Sequence, residues 1–208
     1  MVRHNLTSVQ SPKRGEILKL ARKKGVLRPR DLESAGIARE YLNKLFAEGV
    51  LERPSRGLYR LPSGKQSRHS QFAEVAKRTP HAVVTLLSAL DFHGLTTEFP
   101  HEIWIAIPEK ARAPLADYPP LRVVRYGESA YGFGVETHTI DGVEVRVYSP
   151  AKTVADCFKF RNQIGLDVAI EALRDVRRRK KATNDALWEA AKVCRMTNVM
   201  RPYMEAMQ

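Results

Sequence analysis

The sequence predicts an α+β fold in two parts, and three observations carry that expectation. Residues 11–62 run as short amphipathic helices followed by two short apolar strands. Residues 102–148 hold four strand-like runs, and residues 149–207 return to helical spacing. Between them, Pro62-Ser63-Gly64-Lys65-Gln66-Ser67 has linker composition, which sets the expected domains at 1–65 and 66–208. With 208 residues, 43% apolar and 28% charged, the chain has enough material for two modest cores and is not expected to stay disordered.

In the first part, Ile17, Leu18, Leu20 and Ala21 give helical spacing, and Lys23-Lys24-Gly25 ends that helix with cations and a glycine cap. Val26-Leu27 reads as a connector. Pro29 opens a second helix, where its missing N–H removes no internal bond, with Leu32 and Ala35 facing the core. Gly36 makes a turn. A third helix, from about Ala38 to Glu48, has Ala38, Leu42, Leu45 and Phe46 as its apolar set, while Arg39, Glu40, Asn43 and Lys44 stand opposite. Two strands joined at Pro54-Ser55-Arg56-Gly57 complete the pattern of a winged helix-turn-helix, whose last helix enters a DNA major groove.

Charge agrees with that pattern. Residues 1–65 carry 15 Lys+Arg against 6 Asp+Glu, a net of +9, which leaves 20 against 17 for the remainder. Most of the formal +12 therefore sits on the shorter segment, the footprint of a nucleic-acid binder. Residues 1–10 are expected to form a frayed arm, in which Arg3 and His4 could touch phosphate.

The second part is expected to open with helices over Ser70–Arg78 and Thr85–His93, the latter closed by Gly94. Strands follow at 102–107, 121–126, 135–140 and 143–148, with a loop at 109–120 and a glycine-rich bend at 127–134. Asp141-Gly142 is a hairpin signal, so the sheet is expected to be small and mainly antiparallel. Ser149-Pro150 starts a helix, Gly165 precedes another, Asn184 caps a third, and a short one surrounds Pro202.

Several chemistries find no support in the spacing. The six histidines form no HxxxH or HExxH pair, and no metal or other cofactor is expected. The cluster Gly127, Gly132, Gly134 joins strand to strand and so does not form a dinucleotide or phosphate loop. Glu144-Val145-Arg146 places arginine where a nuclease needs a lysine able to exchange a proton. The chain is not expected to be an enzyme. Cys157 and Cys194 read as buried thiols of a cytoplasmic protein. No apolar run reaches the ~18 residues of a membrane span, and Met1–Gln10 lacks the apolar core of a signal peptide. Asp156 lies in a mostly apolar run with Lys152 four residues before it and Lys159 three after, the spacing of a helical ion pair. The run Arg177–Lys181 reads as a solvated helix end, with DNA backbone or an acidic partner as the alternative.

With these segments in hand, the chain resembles the AbiEi family of antitoxins over nearly its full length. The resemblance rests on Ile17 to Leu61, on Leu87-Ser-Ala-Leu-Asp-Phe-His-Gly-Leu95, on Ile103-Trp-Ile-Ala-Ile-Pro108 and on Gly142 to Asp156. One departure is visible: Ala151-Lys152 stands where Glu-Arg is expected in Ser-Pro-Glu-Arg-Thr. The resemblance implies a bacterial repressor of its own type IV toxin–antitoxin operon that counteracts a nucleotidyltransferase-like toxin, with the second domain serving antitoxicity and assembly on DNA. Its implied partners are double-stranded operator DNA and, without a stable complex, the toxin. A regulator whose second domain senses a small ligand is the alternative.

On this reading Arg39, Asn43 and Lys44 face the major groove, Arg39 suiting guanine and Asn43 adenine by paired hydrogen bonds. Arg53, Arg56 and Arg60 meet phosphates or the minor groove.

Overall fold

The computed structural model describes residues 12–62, 67–97, 100–114 and 119–207. The arm expected over residues 1–10, most of the linker expected over 62–67 and part of the loop expected over 109–120 lie outside them. The chain divides into two compact units, one of residues through 68 together with 141–143, the other of 69–140 and 144–208.

The first unit contains α1 (Pro12–Lys24), β1 (Val26–Leu27), α2 (Pro29–Glu33), α3 (Glu40–Ala47), β2 (Glu52–Ser55) and β3 (Leu58–Arg60). Gly25, at φ +66, lets the chain leave α1 and turn directly into β1. Val26-Leu27 is thus a strand where the sequence suggests only a connector. It pairs antiparallel with β3, Val26 opposite Arg60 and Leu27 opposite Tyr59, giving a three-stranded sheet ordered β1-β3-β2. Ile17, Ala21, Leu27, Leu32, Ile37, Leu42, Leu45, Leu51 and Tyr59 fill the core. Ala35, Ala38 and Phe46, expected inside, are exposed, and Ile37 takes the core position between α2 and α3.

The second unit contains α4 (Ser70–Arg78), β4 (Val83–Val84), α5 (Leu86–His93), β5 (Ile103–Pro108), β6 (Leu121–Tyr126), α6 (Glu128–Gly132), β7 (Val135–Ile140) and β8 (Val143–Tyr148). Five more helices follow: α7 (Pro150–Lys159), α8 (Arg161–Ile164), α9 (Leu166–Arg178), α10 (Asn184–Val193) and α11 (Thr197–Ala206). Its sheet has five strands in the order β6-β5-β4-β8-β7. The pairings β5–β6 and β4–β8 are parallel and β4–β5 is antiparallel, so the sheet is mixed and not mainly antiparallel. The physical reason is β4. This two-residue strand inserts between β5 and β8, and long connections bring β6 and β8 back in the parallel sense. The Asp141-Gly142 hairpin forms as its residues require, with φ of +48 and +76 at the two turn positions. The glycine-rich stretch expected to be a bend holds the short helix α6.

Helix α7 is central to this unit. Residues Ala151 to Phe158 are all buried, and the helix packs against α5, α9, α10 and α11. It starts as the sequence indicates: the Ser149 Oγ accepts the Lys152 backbone N–H at 3.3 Å, and Pro150 occupies the first turn.

Candidate nucleic-acid interface

Helix α3 buries Leu42 and Leu45, three residues apart, and this fixes which side chains face outward. Arg39, Glu40, Asn43 and Lys44 are exposed, Arg39 at 69%. Arg39 stands at the N-cap position of the helix without a capping hydrogen bond from its side chain, and its Nε lies 4.0 Å from the Glu40 carboxylate, a distance at which the guanidinium remains available to a second acceptor. Phe46, 44% exposed, lies one turn beyond Asn43.

The β2–β3 hairpin stands beside this helix. The Tyr59 Oη donates to the Asn43 Oδ1 at 2.7 Å. On the same ring lie the Arg53 guanidinium, 5.8 Å from the centroid, and Phe46, edge-on at 6.5 Å. Arg56 is exposed in the turn next to Gly57. Arg60 is placed differently from the other expected contacts. Its Nε is hydrogen-bonded to the Glu52 carboxylate and its side chain is only 14% exposed. The structure therefore brings Arg39, Asn43, Lys44, Arg53 and Arg56 onto exposed positions of α3 and the hairpin, and ties Arg60 to its neighbouring strand.

Other cations of this unit divide in the same way. Arg14 pairs with Glu48 at 3.2 Å, while Lys24 and Arg28 converge on the buried carboxylate of Asp31 at 2.9 and 3.5 Å. Lys13 lies 5.6 Å over the Tyr41 ring. Lys19, Arg22, Lys23 and Arg30 are exposed. Tyr59 is the functional candidate that sequence reading missed. Its partner is 16 positions away, and only the pairing of β3 with β1 and β2 sets its ring against α3.

The second unit holds a buried polar cluster. The Lys152 Nζ donates to both carboxylate oxygens of Asp156 at 2.6 and 2.7 Å and lies over the rings of Tyr148 and Tyr126, at 4.1 and 4.5 Å. The Cys194 Sγ is 3.3 Å from Asp156 Oδ1. Burial raises the Asp156 carboxyl and is opposed by the Lys152 charge; burial also raises the Cys157 thiol and the Tyr126 and Tyr148 phenols and pushes Cys194 up to about 12. Fully enclosed and turned inward, this cluster offers no nucleophile to an outside substrate. Among the described residues no group of three or more His, Cys, Asp or Glu side chains could hold a metal ion, and no helix is long and apolar enough to cross a membrane.

Residues 16–62, the segment that carries α1 to β3, match the family model described as "Transcriptional regulator, AbiEi antitoxin". Over these residues the match agrees with the resemblance read from the sequence and supports an AbiEi-family antitoxin, while the second-unit stretches that carry the rest of that resemblance lie outside the matched segment. No curated protein matches the chain. Among solved structures, the RV2827C protein from Mycobacterium tuberculosis is similar in fold, with a TM-score of 0.54 and 18% identity. That alignment covers 80% of this chain and 66% of the other, so this chain spans just under two thirds of that protein's length.

Proposed function

We propose that the protein is a DNA-binding transcriptional autorepressor and the antitoxin of a type IV toxin–antitoxin operon, acting against a nucleotidyltransferase-like toxin. The order α1-β1-α2-α3-β2-β3 is the one a winged helix-turn-helix takes, with α3 as groove-reading helix and the β2–β3 hairpin as wing. The observation that carries the reading is the exposed set Arg39, Asn43 and Lys44 on α3, beside Arg53 and Arg56 on the hairpin. Polar side chains on a helix can address base edges while arginines on a neighbouring turn meet phosphates. The match of residues 16–62 supports the regulator and antitoxin roles together. In this proposal residues 1–65 bind the operator, and residues 66–208 serve antitoxicity and assembly on DNA.

The test is binding of the full-length protein to its own upstream DNA and to a random duplex across a salt series. Affinity that is sequence-preferring and falls steeply with salt is expected. Equal affinity for both duplexes would refute the operator reading. Relief of growth arrest on co-expression with the neighbouring toxin is the expected outcome for the antitoxin role.

A further inference from the structure

The hydrogen bond between Tyr59 and Asn43 bears on how α3 reads DNA, and its consequence rests on the DNA-binding function proposed above. A carboxamide has one acceptor and one donor end, and whichever end is held internally leaves the other for a ligand. Here the Asn43 Oδ1 is turned toward the hairpin, where it accepts from the Tyr59 Oη at 2.7 Å. Tyr59 cannot easily follow Asn43 elsewhere. It is 5% exposed, belongs to the core of its unit, and is set by pairing of Leu27 with Tyr59 across β1 and β3. The same ring bears Arg53 on its face and Phe46 at its edge, so one buried side chain fixes the orientation of a helix residue and a hairpin arginine together.

We infer that Tyr59 is a positioning residue that makes Asn43 a donor in the major groove. The Nδ2 amino group is the end presented outward, which suits acceptor edges: guanine N7 and O6, adenine N7 or thymine O4. This differs from the paired adenine contact that an unrestrained asparagine makes with both ends. It also predicts that the base preference associated with Asn43 depends on a hydroxyl located on another element.

The experiment is selection of bound sequences from a randomised duplex pool with the full-length wild type, Asn43→Ala, Tyr59→Phe and Asn43→Asp. Asn43→Ala should lose preference at one position, identifying the base that Asn43 reads. Tyr59→Phe should weaken preference at that same position by about 3–10-fold, the worth of one hydrogen bond, and leave the other positions as in the wild type. Asn43→Asp keeps an oxygen for the Tyr59 hydroxyl but presents an acceptor outward, so its preference should move to cytosine, whose N4 amino group donates. A wild-type pool with no preferred sequence would overturn the DNA-reading function itself. A preferred wild-type sequence in which Asn43→Ala loses no position, or in which Tyr59→Phe keeps the Asn43 position intact, would overturn this inference alone. If Tyr59→Phe fails to fold by circular dichroism, Asn43→Asp decides. Retention of the wild-type base by that variant would overturn the inference.

Discussion

The Lys152 ammonium lies 2.6 Å from the Asp156 carboxylate, one helical turn apart on α7, and neither side chain is exposed. Two charges removed from water persist only because each compensates the other, with the two tyrosine rings and the Cys194 thiol completing the shell. Lys152→Met leaves the carboxylate buried without its cation and should destabilise the second unit by about 3–5 kcal/mol. Lys152→Met combined with Asp156→Leu removes both charges and should recover most of that loss. Urea unfolding followed by tyrosine and tryptophan fluorescence measures both. A single variant as stable as the wild type would mean that the pair contributes nothing to the fold.

Close packing against the same lysine sets a second expectation. Gly134 has φ +68, and a Cβ built there would lie 2.8 Å from the Lys152 Cβ and 3.0 Å from the Ser149 Oγ. Its carbonyl also accepts the Ser149 N–H at 2.7 Å, just where α7 begins. Neither the backbone nor the first turn of a helix buried from Ala151 to Phe158 can shift cheaply. Gly134→Ala should therefore cost about 1–3 kcal/mol. Gly132→Ala, with no neighbouring atom within 4 Å of the added carbon and an ordinary φ, serves as the control. Thermal denaturation of the two variants should separate them by several degrees, and equal midpoints would contradict the packing argument.

Features with local causes were legible in the sequence, and those made by distant partners were not. Ser149-Pro150 announces α7 because a cap and a fixed φ act within one turn. Asp141-Gly142 announces its hairpin because both residues must take positive φ. The Lys152–Asp156 pair followed from i, i+4 spacing. By contrast, Val83-Val84 is too short to show a period, and it is a strand only because β5 and β8 lie on either side. The mixed character of the sheet was hidden for the same reason. Within the candidate interface, the exposure of Arg39, Asn43 and Lys44 came from helical periodicity, while the engagement of Arg60 by Glu52 and of Asn43 by Tyr59 depends on strand pairing across the hairpin. Phe46 reads as core by hydrophobicity alone, yet α3 turns it outward against Tyr59.

His93 gives the second unit a pH dependence. Its Nε2 is 2.7 Å from the Tyr148 carbonyl, and burial lowers its pKa below the ordinary 6.5, an effect that the carbonyl and Glu136 oppose and that His138 and Lys181 reinforce. The folded state thus keeps His93 neutral where an unfolded histidine takes up a proton. The resulting stability is present above pH 6.5 and is lost as pH falls from there through the folded-state pKa, by at most about 1.4 kcal/mol per pH unit. His93→Gln retains a donor for the Tyr148 carbonyl but does not titrate. Thermal midpoints measured from pH 8 to pH 5 should fall more steeply for the wild type than for this variant, and parallel curves would exclude the contribution of His93.

Three of the four arginines that the sequence groups at the interface, Arg39, Arg56 and Arg60, should separate in DNA binding. On the proposed reading Arg39, 69% exposed at the start of α3, addresses a base edge, so Arg39→Ala should cost about 1–3 kcal/mol on the true site and less on random DNA. Arg56 is exposed in the hairpin turn, where a phosphate contact carries no sequence information. Arg56→Ala should weaken all duplexes alike and reduce the slope of log K against log salt by about 1. Arg60 is held by Glu52 and is 14% exposed, so Arg60→Ala should leave the salt slope close to that of the wild type and act chiefly on the stability of the hairpin. Titration of each variant against both duplexes at three or more salt concentrations measures all three effects. A slope for Arg60→Ala as shallow as that of Arg56→Ala would show that Glu52 releases the guanidinium when DNA binds, because the ion pair across β2 and β3 must open before Arg60 can displace a counterion.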